Sequence, residues 1–70
     1  MKYTITIQWS QEDDCYVVYL PEFKHISNQP ATHGETYEEA LAHALEVLEM
    51  LAEELLAEGK ELPPIPALTP

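Results

Sequence analysis

Arginine does not occur in this 70-residue chain, and lysine occurs at only three scattered positions, Lys2, Lys24 and Lys60. Against thirteen Asp and Glu this leaves a formal net charge of −10 at pH 7. Direct nucleic-acid binding is therefore disfavoured, because phosphate contacts need clustered Lys and Arg. Cysteine occurs once, at Cys15, so no internal disulfide can staple the fold, and a lone thiol fits a reducing compartment. Two glycines are too few for a glycine-rich phosphate loop. No apolar run approaches the roughly 18 residues of a membrane span. The N-terminal Met1-Lys2-Tyr3-Thr4-Ile5-Thr6 has no apolar core of a secretory signal. These absences together predict a soluble, cytoplasmic protein with no membrane association.

What is present reads as one small α+β domain. Residues 3–9 alternate, with Tyr3, Ile5, Ile7 and Trp9 on one face and Thr4, Thr6 and Gln8 on the other, the period of a half-buried strand. A polar turn follows at residues 10–14, and residues 15–20 form a second strand ended by Pro21. The short turn predicts an antiparallel hairpin. The second strand carries apolar groups on both faces, with Tyr16 and Tyr19 on opposite ones, which predicts a central position. Residues 21–30 read as a loop, and a short third strand is expected at 31–33.

The junction T-H-G-E-T-Y-E-E-A-L, residues 32–41, then holds much local signal. Gly34 is expected to supply a positive φ for a sharp turn. Thr36 is the candidate N-cap, and Glu39, three residues on, is expected to reach back to the Thr36 N–H as a capping box. The helix is expected over residues 37–58, about 33 Å long at 1.5 Å per residue. Tyr37, Leu41, Ala44, Leu45, Leu48, Leu51 and Leu55 form its apolar stripe, and Gly59 its stop. Val47, Met50 and Leu56 lie off that stripe, where a second subunit or the tail would cover them. Residues 3–61 thus form the domain, and residues 62–70, with four of the six prolines, an extended tail. The expected architecture is a small antiparallel sheet of three or four strands with one long helix on one face.

No constellation of side chains points to catalysis, a cofactor or a metal. His25, His33 and His43 have no i, i+4 partner, and Cys15 has no second cysteine. Cys15 reads as a small buried hydrophobe rather than a nucleophile. Asp13 and Asp14 fall in the hairpin turn, where such residues serve the turn itself. The remaining feature is the acidic helix: Glu38, Glu39, Glu46, Glu49, Glu53, Glu54 and Glu58 without a base among them. Like charges at these spacings cost helix stability. Either the face is simply solvated, or it docks a basic partner, and the residues expected to make contact are Glu46, Glu49 and Glu53 with Asp13 and Asp14.

The segment D-x-Y-V-V-Y-L-P-E-F at residues 14–23, the junction at 32–41 and the ending E-G-K-E-L-P-P together resemble the HicB-like antitoxin family. The resemblance spans about residues 3–64. It implies a partial RNase H-like fold. It further implies an antitoxin that binds and neutralises a small basic RNA-cleaving toxin of the HicA type by protein–protein contact. In that pattern Pro21, Gly34, Thr36, Glu39 and Ala40 are structural, Ala40 being small so that the helix can approach the sheet. Lys24 to Pro30 departs from the loop usual in the family, and a C-terminal DNA-binding domain is not expected, so operator binding is not carried over. The small core, long helix and unpaired sheet edges predict a homo-oligomer, a dimer or a tetramer. Two other readings stay open at this level: an orphan structural module without a toxin, and a remnant metal-dependent nuclease.

Overall fold

The computed structural model describes residues 2–66. It has three strands, β1 (Thr6–Ser10), β2 (Cys15–Tyr19) and β3 (Thr32–Gly34), and one helix, α1 (Tyr37–Ala57). The sheet is antiparallel throughout in the order β1-β2-β3, so β2 is central, as its two apolar faces predicted. The fold is α+β, with α1 packed on one face of the sheet, mainly over β3 and β2.

The register sorts the side chains. Ile7 pairs with Val18, Trp9 with Tyr16, and Tyr16 in turn with Gly34. These residues share the helix face, because side chains directly opposite in a sheet point the same way. Cys15, Val17 and Tyr19 face away from the helix. Tyr3 and Ile5 pack on the core from an extended segment that precedes β1, so the strand itself begins later than the alternation predicted. Tyr3 instead meets Phe23 edge-on, with ring centroids 5.0 Å apart, and its hydroxyl donates to the Pro63 carbonyl. The beginning of the tail is thereby held against the N-terminal segment. Residues 60–66 form no helix or strand, and the expectation for 67–70 lies outside the described residues.

Pro21 ends β2 as expected and opens a single 3-10 turn, Pro21–Phe23, that drives Phe23 into the core. The buried backbone of Leu20 needs partners just where the sheet stops. The Leu20 N–H donates to Gln29 Oε1 at 2.9 Å, while the Leu20 carbonyl accepts from the Phe23 N–H at 2.9 Å and from Gln29 Nε2 at 3.4 Å. One side-chain amide thus stands in for a strand residue, as full burial of Leu20 requires. The Gln29–Pro30 peptide is cis.

The junction keeps its role with two corrections. Gly34 does not have a positive φ. It is needed for space instead: a Cβ there would stand 2.7 Å from Ala40 Cα and 2.9 Å from the Glu39 carbonyl carbon. The capping box is also displaced by one residue. Thr36 Oγ1 accepts from the Glu39 N–H at 3.0 Å as predicted, but Glu39 Oε1 accepts from Glu35 N–H at 3.2 Å rather than from Thr36. The tight approach of Gly34 to Ala40 brings the Glu35 amide over the first helical turn, and the carboxylate takes the donor nearest to it.

The apolar stripe of α1 needs a third correction. Its buried members are Ala40, Ala44, Leu48, Leu51, Ala52 and Leu55, whereas Tyr37, Leu41 and Leu45 are exposed. A three-stranded sheet covers only part of a stripe this wide, and the alanines let the helix settle close on one side of it. Val47 packs against the core, while Met50 and Leu56 are exposed. The helix ends one residue earlier than expected in a Schellman motif, with Lys60 N–H donating to the Leu55 carbonyl at 2.9 Å and Gly59 N–H to Leu56 at 3.1 Å. Gly59 has φ +72 and open space around it.

The two glycines therefore fail differently on substitution. Gly34→Ala meets backbone that cannot yield and is expected to cost about 2–3 kcal/mol. Gly59→Ala meets only conformational strain, about 1 kcal/mol. Urea unfolding followed by circular dichroism measures both, and an order of cost opposite to this one contradicts the packing described.

Candidate functional site

The acids expected to make contact fall into two groups that the fold does not bring together. Glu46, Glu49 and Glu53 are spaced by three and four residues, so they align on one face of α1, and all three are exposed. They lie on the side of the helix away from Leu48 and Leu55, which pack on the sheet. Among the described residues there is one ion pair, Lys60 with Glu58 at 2.9 Å, and none involves this acidic line. It is carried on a helix capped at both ends and packed along one face, which presents the three carboxylates at set spacing.

Asp13 and Asp14 belong to the β1–β2 turn, and local geometry explains them. Ser10 Oγ donates to Asp13 Oδ2 at 3.0 Å, and the Asp13 N–H donates to Ser10 Oγ at 3.3 Å. Asp14 sits at φ 53, a left-handed position that Asp tolerates better than most residues. Both residues also line an open groove of about 570 Å³, together with Glu35 and Glu39. Val17 and Ala31 give this groove an apolar part. Two pairs of acids, some twenty residues apart in sequence, thus share one concave surface, a grouping that required the strand register and was not visible in the sequence.

Cys15 lines the same groove and is half-buried. Partial burial pushes its thiol above the ordinary range, and the charges of Asp13, Asp14 and Glu35 push it further. Both causes disfavour the thiolate, which is the nucleophilic form. The site is thus poorly suited to thiol chemistry. His33 and His43 are likewise engaged structurally: His43 Nδ1 donates to the His33 carbonyl at 2.6 Å, tying α1 to β3. Among the described residues no three His, Cys, Asp or Glu side chains are placed to hold a metal ion. No helix of the described residues is long and apolar enough to cross a membrane.

The sequence reading missed an aromatic run on the helix face. Trp9 and Tyr16 meet edge-on with centroids 5.1 Å apart, and Tyr16 meets Tyr37 at 4.3 Å. Trp9 and Tyr37 are each about half exposed. The only signal in the sequence was the alternation that put Trp9 with Ile7, which read as burial.

The raised thiol predicts slow alkylation of Cys15. Iodoacetamide should label it more slowly than a free cysteine at pH 8, with a midpoint displaced to higher pH, and Asp13→Asn with Asp14→Asn should recover part of the rate. A midpoint at the ordinary thiol value would contradict the electrostatic description. Against family models, curated proteins and solved structures, the chain finds no match.

Proposed function

We propose that this chain is an antitoxin-like binding protein that neutralises a small, basic, RNA-cleaving toxin of the HicA type by protein–protein contact. The observation that carries this reading is the exposed line Glu46, Glu49 and Glu53 on a capped helix, in a chain of net charge −10. A basic RNA-binding surface is the complement of such a face, and fields of opposite sign accelerate encounter as well as orient it. The sheet with one helix agrees with the partial RNase H-like architecture that the family resemblance implies. On this reading the protein acts in the cytoplasm, in keeping with its single unpaired thiol, and performs no catalysis. The fold's shape alone assigns no nuclease activity to it.

The reading also separates the two acidic groups. The helix line is free for a partner, whereas Asp13 is partly committed to its turn. The helix acids therefore carry the main contact, and Asp13 and Asp14 contribute through the field at the sheet end.

Retention of a stoichiometric small basic ribonuclease from the protein's own lysate at low salt, its release at high salt and loss of its RNA cleavage on rebinding are the expected results. Reversal of Glu46, Glu49 and Glu53 to Lys is expected to weaken that complex about ten- to a hundredfold and to flatten its salt dependence, as for charges at an interface rim. Equal affinity of the triple variant at two ionic strengths would remove the helix line from the interface.

A further inference from the structure

The two edges of the sheet are unlike. β3 has three residues, follows closely after Pro30, and has its His33 carbonyl engaged by His43. β1 has five residues, Thr6 to Ser10, in unbroken register with β2, with no charge, no proline and no bulge. Among the described residues no backbone hydrogen bond reaches β1 except its pairing with β2. Edge strands are ordinarily blunted by such devices, because an open edge templates pairing with another chain. Here only the β3 side has them.

The open edge adjoins exposed apolar surface. His43 marks the flank of α1 that faces β3, and Leu41 and Leu45 lie on the opposite flank, towards β1. Tyr37, Tyr16 and Trp9 continue that flank across the sheet to β1 through ring contacts. The exposed fractions are 49% for Trp9, 57% for Tyr37, 44% for Leu41 and 51% for Leu45. With large side chains offering about 150–250 Å² each, half exposure of these four leaves on the order of 400 Å² of contiguous, mostly apolar surface.

We propose that a second copy of this chain covers this surface, β1 pairing antiparallel with β1 of the copy about a two-fold axis perpendicular to the sheet. That operation joins two three-stranded sheets into one and keeps both helices on the same side. It also sets the Tyr37–Leu41–Leu45 flank of one copy against that of the other. An identical chain is the occupant that supplies a matching open edge and a matching apolar flank at once, the self-complementarity a two-fold interface demands. The apolar flanks alone bury about 800 Å² in total, and the paired strands and rim raise this toward the roughly 1,200–2,000 Å² of a stable interface. Glu46 and Glu53 remain outward, whereas Glu49, one turn after Leu45, borders the paired flank, so the two surfaces meet at that residue. Two copies of charge −10 repel, so added salt must tighten this association.

Sedimentation velocity on the full chain, with emission of its only tryptophan, Trp9, tests the interface. A dilution series from about 100 µM to about 0.1 µM brackets a micromolar dissociation constant. The expected results are a dimer that dissociates on dilution, a red shift of Trp9 emission in step with it, and tighter association at higher salt. Leu45→Glu, present twice across the two-fold, is expected to raise the dissociation constant by about a hundredfold or more. Met50→Glu, equally exposed but on the other flank, should leave it unchanged. Circular dichroism verifies that both variants are folded, and the Trp9 shift of the unaltered chain stands whether or not they are. A chain that is monomeric throughout, a dimer sensitive to Met50→Glu and not to Leu45→Glu, or a Trp9 covered only on addition of a different protein would each overturn the proposal.

Discussion

The contact between Gly34 and Ala40 decides where the helix lies. With no side chain on Gly34 and only a methyl on Ala40, the first turn of α1 comes down onto β3 at backbone distance, and any Cβ on Gly34 would block it. Ala40 and Ala44 then keep the helix close along that side, and both are fully buried. Because α1 is drawn over β3 and β2, the helix face of β1 is left only partly covered. Three consequences share this one cause. Trp9 and the Tyr37–Leu41–Leu45 flank stay open, the β3 edge is closed by His43, and Glu46, Glu49 and Glu53 point outward.

The same placement separates two kinds of surface that a small acidic chain must manage. The outward face is charged, and on the proposed reading it would dock a basic partner through an attraction that salt weakens. The flank beside β1 is mostly apolar, and in the proposed dimer association there works against the net charge of both copies, so salt would help it. A chain with a core this small has little stability to spare. In the proposed dimer, covering the apolar surface that the sheet leaves open would supply what the core lacks.

Much of this was legible in the sequence. The period of two in residues 3–9, the turn at 10–14 and the repeat of three and four after Thr36 carried the hairpin, the helix and its direction. Thr36 and Gly59 announced the helix ends through the chemistry of caps, which is local and therefore readable. Gly34 was legible as necessary, but its reason was not, because a close approach involves residues six apart whose contact depends on the helix axis. Leu41 and Leu45 looked the same as Leu48 in the repeat, and only the width of the sheet distinguishes them. Gln29 gave no sign that it would complete the backbone of Leu20. For the candidate site, the line Glu46–Glu49–Glu53 followed from helical spacing. The grouping of Asp13, Asp14, Glu35 and Glu39 depended on strand register and did not.

The seat of α1 on β3 is the claim on which the open edge, the apolar flank and the outward acids all depend. The direct measurement is the nuclear Overhauser effect between the Gly34 α-protons and the Ala40 amide proton in solution. A strong cross-peak, accompanied by one between the Tyr16 and Tyr37 rings, is the predicted result. Absence of the Gly34–Ala40 peak, with cross-peaks instead from Leu41 and Leu45 to Ile7, would place the helix over β1 and contradict the account.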